Sequence, residues 1–589
     1  MFHSHLLYGM RIKLQGGRVN VFSAELKGYT FMNKLTLNGS LGDAGKLVLE
    51  NYLKETRFDH LVDIFRTRCE NDNGWRCEFW GKILRGAILL NSYINDEKMQ
   101  KIIDATIDDI LSTQQPDGSI SSYPADKQLQ GWNLWGIKYV LLGLLRYAQS
   151  GRKEKPIARA CSDLLSYVEA LMEKDGHFFP EYGMHTGLAA ASILNAVVKL
   201  WDLTGNEHWK LLAEKLIKSG CSTAHNIFEE AENGTLPGNI GNGKAYELTS
   251  CFQGLAEYIL TAEKRGGDYL DDRDYKAVCF KYFQLVCDNE IMITGASGLK
   301  DSVGEFWDCG KYKQHRSDAG TLGETCIMTT MLHYADVIMS LAGEEYYPAG
   351  ELAETILYNS LLGGMTPDGR NFTHANPTPL TGGGWKKPAG DQMKIVFKVP
   401  FDGHDCCRAQ GPEGLAMAYK LAVRELKNSN QICGCVVNLY EALQAEFPGA
   451  VLKISGDYPY GGKAVVKVQS KENFTLSLRI PHYTAKVMLN GESLCFEKGS
   501  FLKLDRKWSA SDTVEIFFDL TLQEVSAPGD RAYTAVTRGA LVLAEDSRRE
   551  NVPDARIRAE WNGRTLVEYS AAGSGFNPEN TLTVWFKNA

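Results

Sequence analysis

Between about Asp43 and Leu426 the apolar residues recur at i, i+3 and i+4, as in WGIKYVLLGLLRYAQSG, ILNAVVKLWDLTG, SCFQGLAEYILTAEKRGG and CIMTTMLHYADVIMSLAG. That spacing predicts amphipathic or buried helices. Several of them stop alike, at QSGRKE, LTGNEHW and LAGEEYY, where a glycine ends one helix and polar and aromatic residues open the next. The result is a weak internal repeat of roughly 55 residues, the size of a helical hairpin. About six such hairpins fill the span and predict an (α/α)6 barrel; an open solenoid has the same periodicity, because spacing does not encode closure. After about Ser429 the pattern changes to short alternating runs such as VLKISGDY, AVVKVQS, FTLSLRI and TVEIFFDL, separated by turns such as PYGG, NGE and SAPGD. These predict β-sandwich structure. The early segment RVNVFSAELKGYTF also reads as strand. The expected organisation is therefore α+β and multidomain: an N-terminal β segment over 1–40 that pairs with the C-terminal sheets, a helical barrel over 41–428, and a β-sandwich region over 429–589.

Composition narrows what such a chain does. Its 589 residues carry 64 Lys and Arg against 72 Asp and Glu, a formal charge of -8, with no long basic run. Nucleic acid is not an expected partner. No stretch of about 18 apolar residues is present, so no membrane-spanning helix is expected. The opening MFHSHLLYGMRIKLQGG lacks a long apolar core followed by a small-residue cleavage site, which makes a cytoplasmic location the default expectation; a removed leader would make it periplasmic or secreted. Fourteen irregularly spaced cysteines in so long a chain argue for free thiols or metal ligands rather than a disulfide scaffold.

Three features carry candidate chemistry. The first is the vicinal pair Cys406-Cys407 in PFDGHDCCRAQGPEG. About 0.3 such pairs arise by chance at this cysteine content, so the pair gains weight from its polar, turn-rich surroundings. A helix is expected to begin near Pro412, which puts the thiols at a loop-to-helix boundary. The second is GETC, with Glu324 and Cys326 at the start of a helix expected over Cys326 to Leu341. Three thiolates and one carboxylate suit tetrahedral zinc better than magnesium or calcium, although residues so far apart in sequence could equally be buried small side chains. The third is Glu305 in VGEFWD, where Phe306 and Trp307 could desolvate the carboxyl group and fit it for general acid work; a solvent-facing loop glutamate has the same sequence.

These features, in this order and spacing, resemble the β-L-arabinofuranosidase family of glycoside hydrolases, family 127. The resemblance is strongest from DNEIMITGASGLKDSVGEFW through GETC and LYNSLLGGMTPDGRNFTHANP to CCRAQGPEGLA, and extends to LENYLKETRFDHLVDIFR and to SLRIPHYTAKVMLNGE, FLKLDRKW and RGALVLAEDS in the β region. It implies an (α/α)6 barrel flanked by β-sandwich domains. It also implies a Zn2+ ion held by Glu324, Cys326, Cys406 and Cys407, with Cys406 the nucleophile and Glu305 the acid/base of a retaining, exo-acting glycosidase on plant-type glycans. A zinc-bound thiolate stays deprotonated near neutral pH and can stand in for the usual carboxylate.

The departures from the family pattern fall on the sugar pocket. Lys138 in WGIKY and Glu247 in AYELTS stand at two positions where the family has histidines, Glu354 and His374 resemble further pocket positions, and His404 replaces the first cysteine of a Cys-x-Cys-Cys pattern. An inward-facing Lys138 would add a fixed positive charge and favour an acidic sugar of the pectin type; a Lys138–Glu247 pair would leave the pocket neutral. Two further alternatives are a carbohydrate-binding protein with a structural zinc, and a sugar isomerase, which lacks support because no inner-helix histidine pair is evident.

Overall fold

The computed structural model describes residues 35–70, 74–299, 304–316, 323–380, 405–429, 431–548, 551–573 and 581–588. The early segment 18–31 expected to be strand lies outside them.

Six helices are buried along nearly their whole length: α1 (Phe79–Ile94), α2 (Asn133–Gln149), α3 (Leu194–Thr204), α4 (Ala245–Arg265), α5 (Thr325–Leu341) and α6 (Cys406–Ala422). Each packs against the next, and α6 returns to pack against α1. The ring is closed, so the fold is a barrel and not an open solenoid. A second layer, including Glu97–Leu111, Glu154–Asp175, Glu207–Lys218, Tyr275–Asn289 and Tyr347–Thr355, covers the ring with amphipathic helices whose outer faces are polar.

Close approach inside the ring depends on glycine at particular contacts. A Cβ on Gly81 of α1 would lie 2.1 Å from the Tyr139 carbonyl of α2, and one on Gly411 of α6 would lie 2.2 Å from the Phe372 ring. From the middle of the inner helices toward their C-terminal ends lie buried ion pairs. Glu413 meets Arg85 at 3.0 Å and His333 at 3.1 Å, while Asp336 is paired with Lys420 and Arg424. Burial works against the Glu413 charge, yet Arg85 and His333 outweigh it and hold the carboxyl down at about 2.

α6 starts at Cys406, six residues before the expected start at Pro412. Asp405 is its N-cap, accepting from the backbone N–H of Cys407 at 2.8 Å and of Arg408 at 3.3 Å. That cap satisfies first-turn donors and sets the start, and Pro412 is carried inside the helix. The chain leaves α6 directly into the strand Val423–Asn428, so these residues, expected in the barrel, are strand.

The β region begins with a seven-stranded sheet and a four-stranded sheet whose alternating buried residues, among them Leu452, Val466, Leu476 and Leu478, join one core with the barrel. The strand Leu35–Leu37 pairs antiparallel with Leu443–Phe447, which ties the start of the described chain to the first sheet. A third sheet, Gln523 to Lys587, also takes in Pro379–Leu380.

Glu354 belongs to the seam between these parts. Its carboxylate is buried in an ion pair with the fully buried Arg479 and accepts from the hydroxyls of Tyr458 and Tyr483, all three from the β region. The expectation that it lines the sugar pocket is thus corrected: a guanidinium with no exposure needs a carboxylate partner, and Glu354 supplies it. Glu354→Ala is expected to cost about 3–5 kcal/mol in a urea unfolding experiment, because it leaves the Arg479 charge buried and alone. A loss below about 1 kcal/mol would show that the seam does not depend on this pair.

Candidate active site

The thiols and carboxylates gather at the N-terminal ends of α4, α5 and α6. Glu324 occupies the N-cap position of α5, but its side chain caps nothing and is free to turn inward. Cys326 lies in the first turn of α5, and Cys406 and Cys407 open α6. Adjacency of α5 and α6 therefore joins GETC to the vicinal pair. One ligand atom from each of Glu324, Cys326, Cys406 and Cys407 lies within 4.8 Å of all the others. Cys406 and Cys407 sulfurs are 3.8 Å apart, and Glu324 Oε1 is 3.8 Å from the first and 3.7 Å from the second.

These distances fit a metal site. Sulfur and oxygen donors at 2.0–2.3 Å from a tetrahedral ion stand roughly 3.5–3.8 Å from one another. The other oxygen of Glu324, Oε2, is buried with no hydrogen-bond partner among the described residues. Burial, reinforced by Glu305 and Cys406, pushes the Glu324 carboxyl well above its usual range; a cation among these donors reverses that preference. Burial likewise pushes the Cys326 and Cys407 thiols up. Cys406 is the exception: hydrogen bonds from Cys326 and Cys407, and then from His374, hold it well below the ordinary thiol value. It is the preferred thiolate of the three.

His374 and Glu305 complete the constellation. His374 Nδ1 is 3.5 Å from Cys407 Sγ and its Nε2 is 3.8 Å from Glu305 Oε1, so one imidazole spans from the thiols to Glu305. Two further groups of ligand atoms lie within 4.8 Å of one another, His374 with Asp405, Cys406 and Cys407, and Glu305 with Glu324 and His374, and each could also hold a metal. Backbone bridges fix the Glu305 loop, with Phe306 paired to Leu299 and Lys244, and Ala245 N–H donating to the Glu305 carbonyl at 3.1 Å. The expected surroundings of Glu305 are only partly found. Trp307 is buried behind it, donating to Tyr282, but the carboxylate itself meets the Lys244 ammonium.

Two lysines at the site were not expected from the sequence. Lys244 sits at the start of α4 and contacts Glu305, with Glu247 at 3.9 Å; burial opposes its charge, but Glu247 and Glu305 outweigh it. Lys82 of α1 is fully buried, 3.9 Å from Cys326 Sγ and 3.0 Å from Glu78, under the rings of Trp135, Tyr139 and Tyr246. An ammonium there offsets the negative charge of the thiol cluster. A lysine in a mainly apolar helix that it shares with Arg85 is the sequence signal that marks Lys82; Lys244 has none beyond the NGK turn.

Of the remaining expected pocket residues, His404 lies outside the described residues. Glu247 is buried near the site, and its Oε2 has no hydrogen-bond partner among the described residues. Its carboxylate lies 3.9 Å from the Lys244 ammonium, and the Lys138–Glu247 pair, the alternative to an inward-facing Lys138, is not found among the described ion pairs. Lys138 is 1 % exposed, donates to Ser192 at 3.0 Å, and lies 4.2 Å over the Trp135 ring. Burial lowers it to about 7, so it is not the fixed charge expected. Because the unfolded chain holds this proton up to the ordinary lysine value of 10.5, the folding penalty is complete below about pH 7 and fades toward 10.5. Lys138→Met is expected to abolish that rise in stability, on the order of 4 kcal/mol, between neutral and alkaline pH. Parallel stability–pH curves for the two proteins would contradict the burial argument.

Comparison with known proteins places this constellation in context. Residues 46–420 match the model of the β-L-arabinofuranosidase GH127 catalytic domain, and residues 434–520 match that of the GH127 middle domain. A curated relative, the non-reducing end β-L-arabinofuranosidase of Bifidobacterium longum subsp. longum, is 23% identical over 517 residues, covering 79% of this chain and 74% of that protein. The solved GH127 β-L-arabinofuranosidase of Geobacillus stearothermophilus T6 is similar in fold, with a TM-score of 0.71, 18% identity, and coverage of 94% of this chain and 100% of that one. A second solved GH127 β-arabinofuranosidase gives a TM-score of 0.72 at 18% identity, covering 95% and 97%.

Proposed function

The chain belongs to the GH127 β-L-arabinofuranosidase family and is a glycoside hydrolase, and on that premise we propose that it removes β-L-arabinofuranosyl groups from the non-reducing ends of plant-type glycans with retention of configuration. The observation that carries the proposal is the meeting of Glu324, Cys326, Cys406 and Cys407 within 4.8 Å, with Glu305 reached through the His374 ring.

In the first step the Cys406 sulfur forms a bond to the anomeric carbon while the bond from that carbon to the leaving oxygen breaks. Glu305 gives its proton to that oxygen. In the second step Glu305 takes a proton from water, the water oxygen bonds to the anomeric carbon, and the carbon–sulfur bond breaks with its electron pair returning to Cys406. Glu324, Cys326, Cys406 and Cys407 would hold Zn2+, which when bound keeps the thiolate deprotonated and stabilises it as a leaving group. Lys82 offsets charge behind Cys326, and His374 orients the space between Cys407 and Glu305. Glu247 Oε2 is an acceptor for a sugar hydroxyl. The acidic-sugar alternative depended on a charged Lys138, and the buried amine removes that support.

Two expected outcomes test the mechanism. The purified protein is expected to carry about one zinc per chain and to hydrolyse 4-nitrophenyl β-L-arabinofuranoside, with Cys407→Ser losing metal. Glu305→Gln is expected to keep its zinc while turnover of substrates with poor leaving groups falls by at least a hundredfold. Zinc lost from Glu305→Gln would move Glu305 into the metal site, and full activity without it would leave only a structural or binding role. For the nucleophile, an epoxide or haloacetamide analogue of the sugar followed by peptide mass mapping is expected to label Cys406. A label on Glu305 or Glu324 would replace the thiolate with a conventional carboxylate.

A further inference from the structure

A wall of aromatic rings runs from the acid/base glutamate around to the thiol cluster, and the hydrolytic steps leave its outer part unused. Phe306 follows Glu305, and its ring centroid is 5.7 Å from that of His185 at an interplanar angle of 73°. His185 is 5.5 Å from Trp132, and Trp132 is 5.8 Å from Trp135. Trp135 is 3 % exposed and returns the wall to the cluster through Lys82, which lies 5.7 Å over its ring and touches Cys326. Exposure is graded along this path. Cys326, Cys407 and Trp135 are buried, whereas Phe306, His185 and Trp132 are half-buried. The deep end suits the sugar that is attacked, and the half-open rings lie outward, on the Glu305 side. The leaving oxygen must be on that side, because Glu305 protonates it.

The chemistry of the outer rings is that of a saccharide platform. An aromatic face carries partial negative charge and favours the weakly positive C–H groups on one face of a sugar ring, while polar groups at the ring edges meet hydroxyls. The Trp132 indole N–H has no hydrogen-bond partner among the described residues. The His185 Nδ1 faces Asn242 Nδ2 at 3.3 Å and accepts from it, which leaves Nε2–H as a donor. Burial lowers the His185 pKa, so the imidazole at the rim is neutral. The backbone is held out of its usual range to put that ring there. His185 and Thr186 have consecutive φ values of 59° and 55°, a left-handed pair that includes a β-branched residue, secured where Thr223 N–H donates to the Thr186 carbonyl at 2.9 Å. Strain of this kind costs on the order of 1–3 kcal/mol per residue and is found where a side chain must be aimed.

We infer that Phe306, His185 and Trp132 form the leaving-group subsite and that it takes a saccharide, so that this wall selects the sugar to which the hydrolysed residue is attached. The inference rests on the proposed role of Glu305 for its orientation, but not for the recognition itself.

The test compares two substrates with the same non-reducing sugar, an L-arabinofuranosyl disaccharide with β linkage and methyl β-L-arabinofuranoside, in wild type, Trp132→Leu and His185→Leu. Each variant is expected to lose at least tenfold more in kcat/KM on the disaccharide than on the methyl glycoside, with zinc content unchanged. Equal losses on the two substrates, or an undiminished disaccharide rate, would overturn the subsite. Saturation-transfer NMR with the disaccharide in wild type and Trp132→Leu separates this claim from the catalytic one. Signal lost in the variant supports the wall even if wild type hydrolyses neither substrate, a result that would sink the hydrolase mechanism alone. Signal equal in both proteins would refute the wall whatever the rates.

Discussion

A carboxylate oxygen and three sulfurs buried together at helix N-termini impose the constraint on which this structure turns. Glu324 Oε2 has no hydrogen-bond partner among the described residues, Cys326 and Cys407 are fully buried, and burial drives the protonation of each of these groups in the direction of neutrality. Ionising these groups without a partner is costly, and a cation held among the four donors would satisfy them at once. The surrounding charges are arranged for the same end. Lys82 stands behind Cys326 and is itself balanced by Glu78, while Lys244 faces Glu305 on the opposite rim.

The barrel meets this constraint through ring closure and a few local devices. α5 and α6 are neighbours in the ring, so residues some eighty positions apart meet at one end. Asp405 caps α6 and thereby fixes where Cys406 and Cys407 point; its own carboxyl is pushed up to about 6 by burial and the adjacent Cys406. Farther along the inner helices, Glu413 and Asp336 are paired with arginines, a lysine and a histidine, so the polar groups inside the ring are met there too. The seam of Glu354 and Arg479 then fastens the β region to the helix that follows α5.

Much of this was legible in the sequence, and the reasons for the exceptions are physical. The switch from a period near 3.6 to a period of 2 marked the barrel and the sheets, and the residue types of GETC and Cys406-Cys407 marked the side chains that the fold gathers into a cluster able to hold a metal. Closure of the ring was legible from the number of hairpins and the family resemblance but not from periodicity, since the same helical hairpins build open arrays. Side-chain direction on α2 was not legible either: Asn133 through Leu145 are all buried, so periodicity offers no outward face by which to orient Lys138. Its lone lysine reads as a pocket charge in sequence and is a desolvated amine packed on Trp135 in the fold. Glu354 misled for the opposite reason, because its partner Arg479 lies 125 residues away on a strand. α6 starts at Cys406 rather than near Pro412 because the Asp405 side chain satisfies the first-turn donors, while Pro412 is accommodated within the helix.

The most direct measurement of the central claim is zinc K-edge X-ray absorption on the protein purified under reductant. The account predicts a first shell of three sulfurs at about 2.3 Å and one oxygen at about 2.0 Å, the set that Cys326, Cys406, Cys407 and Glu324 can provide. A shell dominated by nitrogen and oxygen, or one with fewer than three sulfurs, would contradict it.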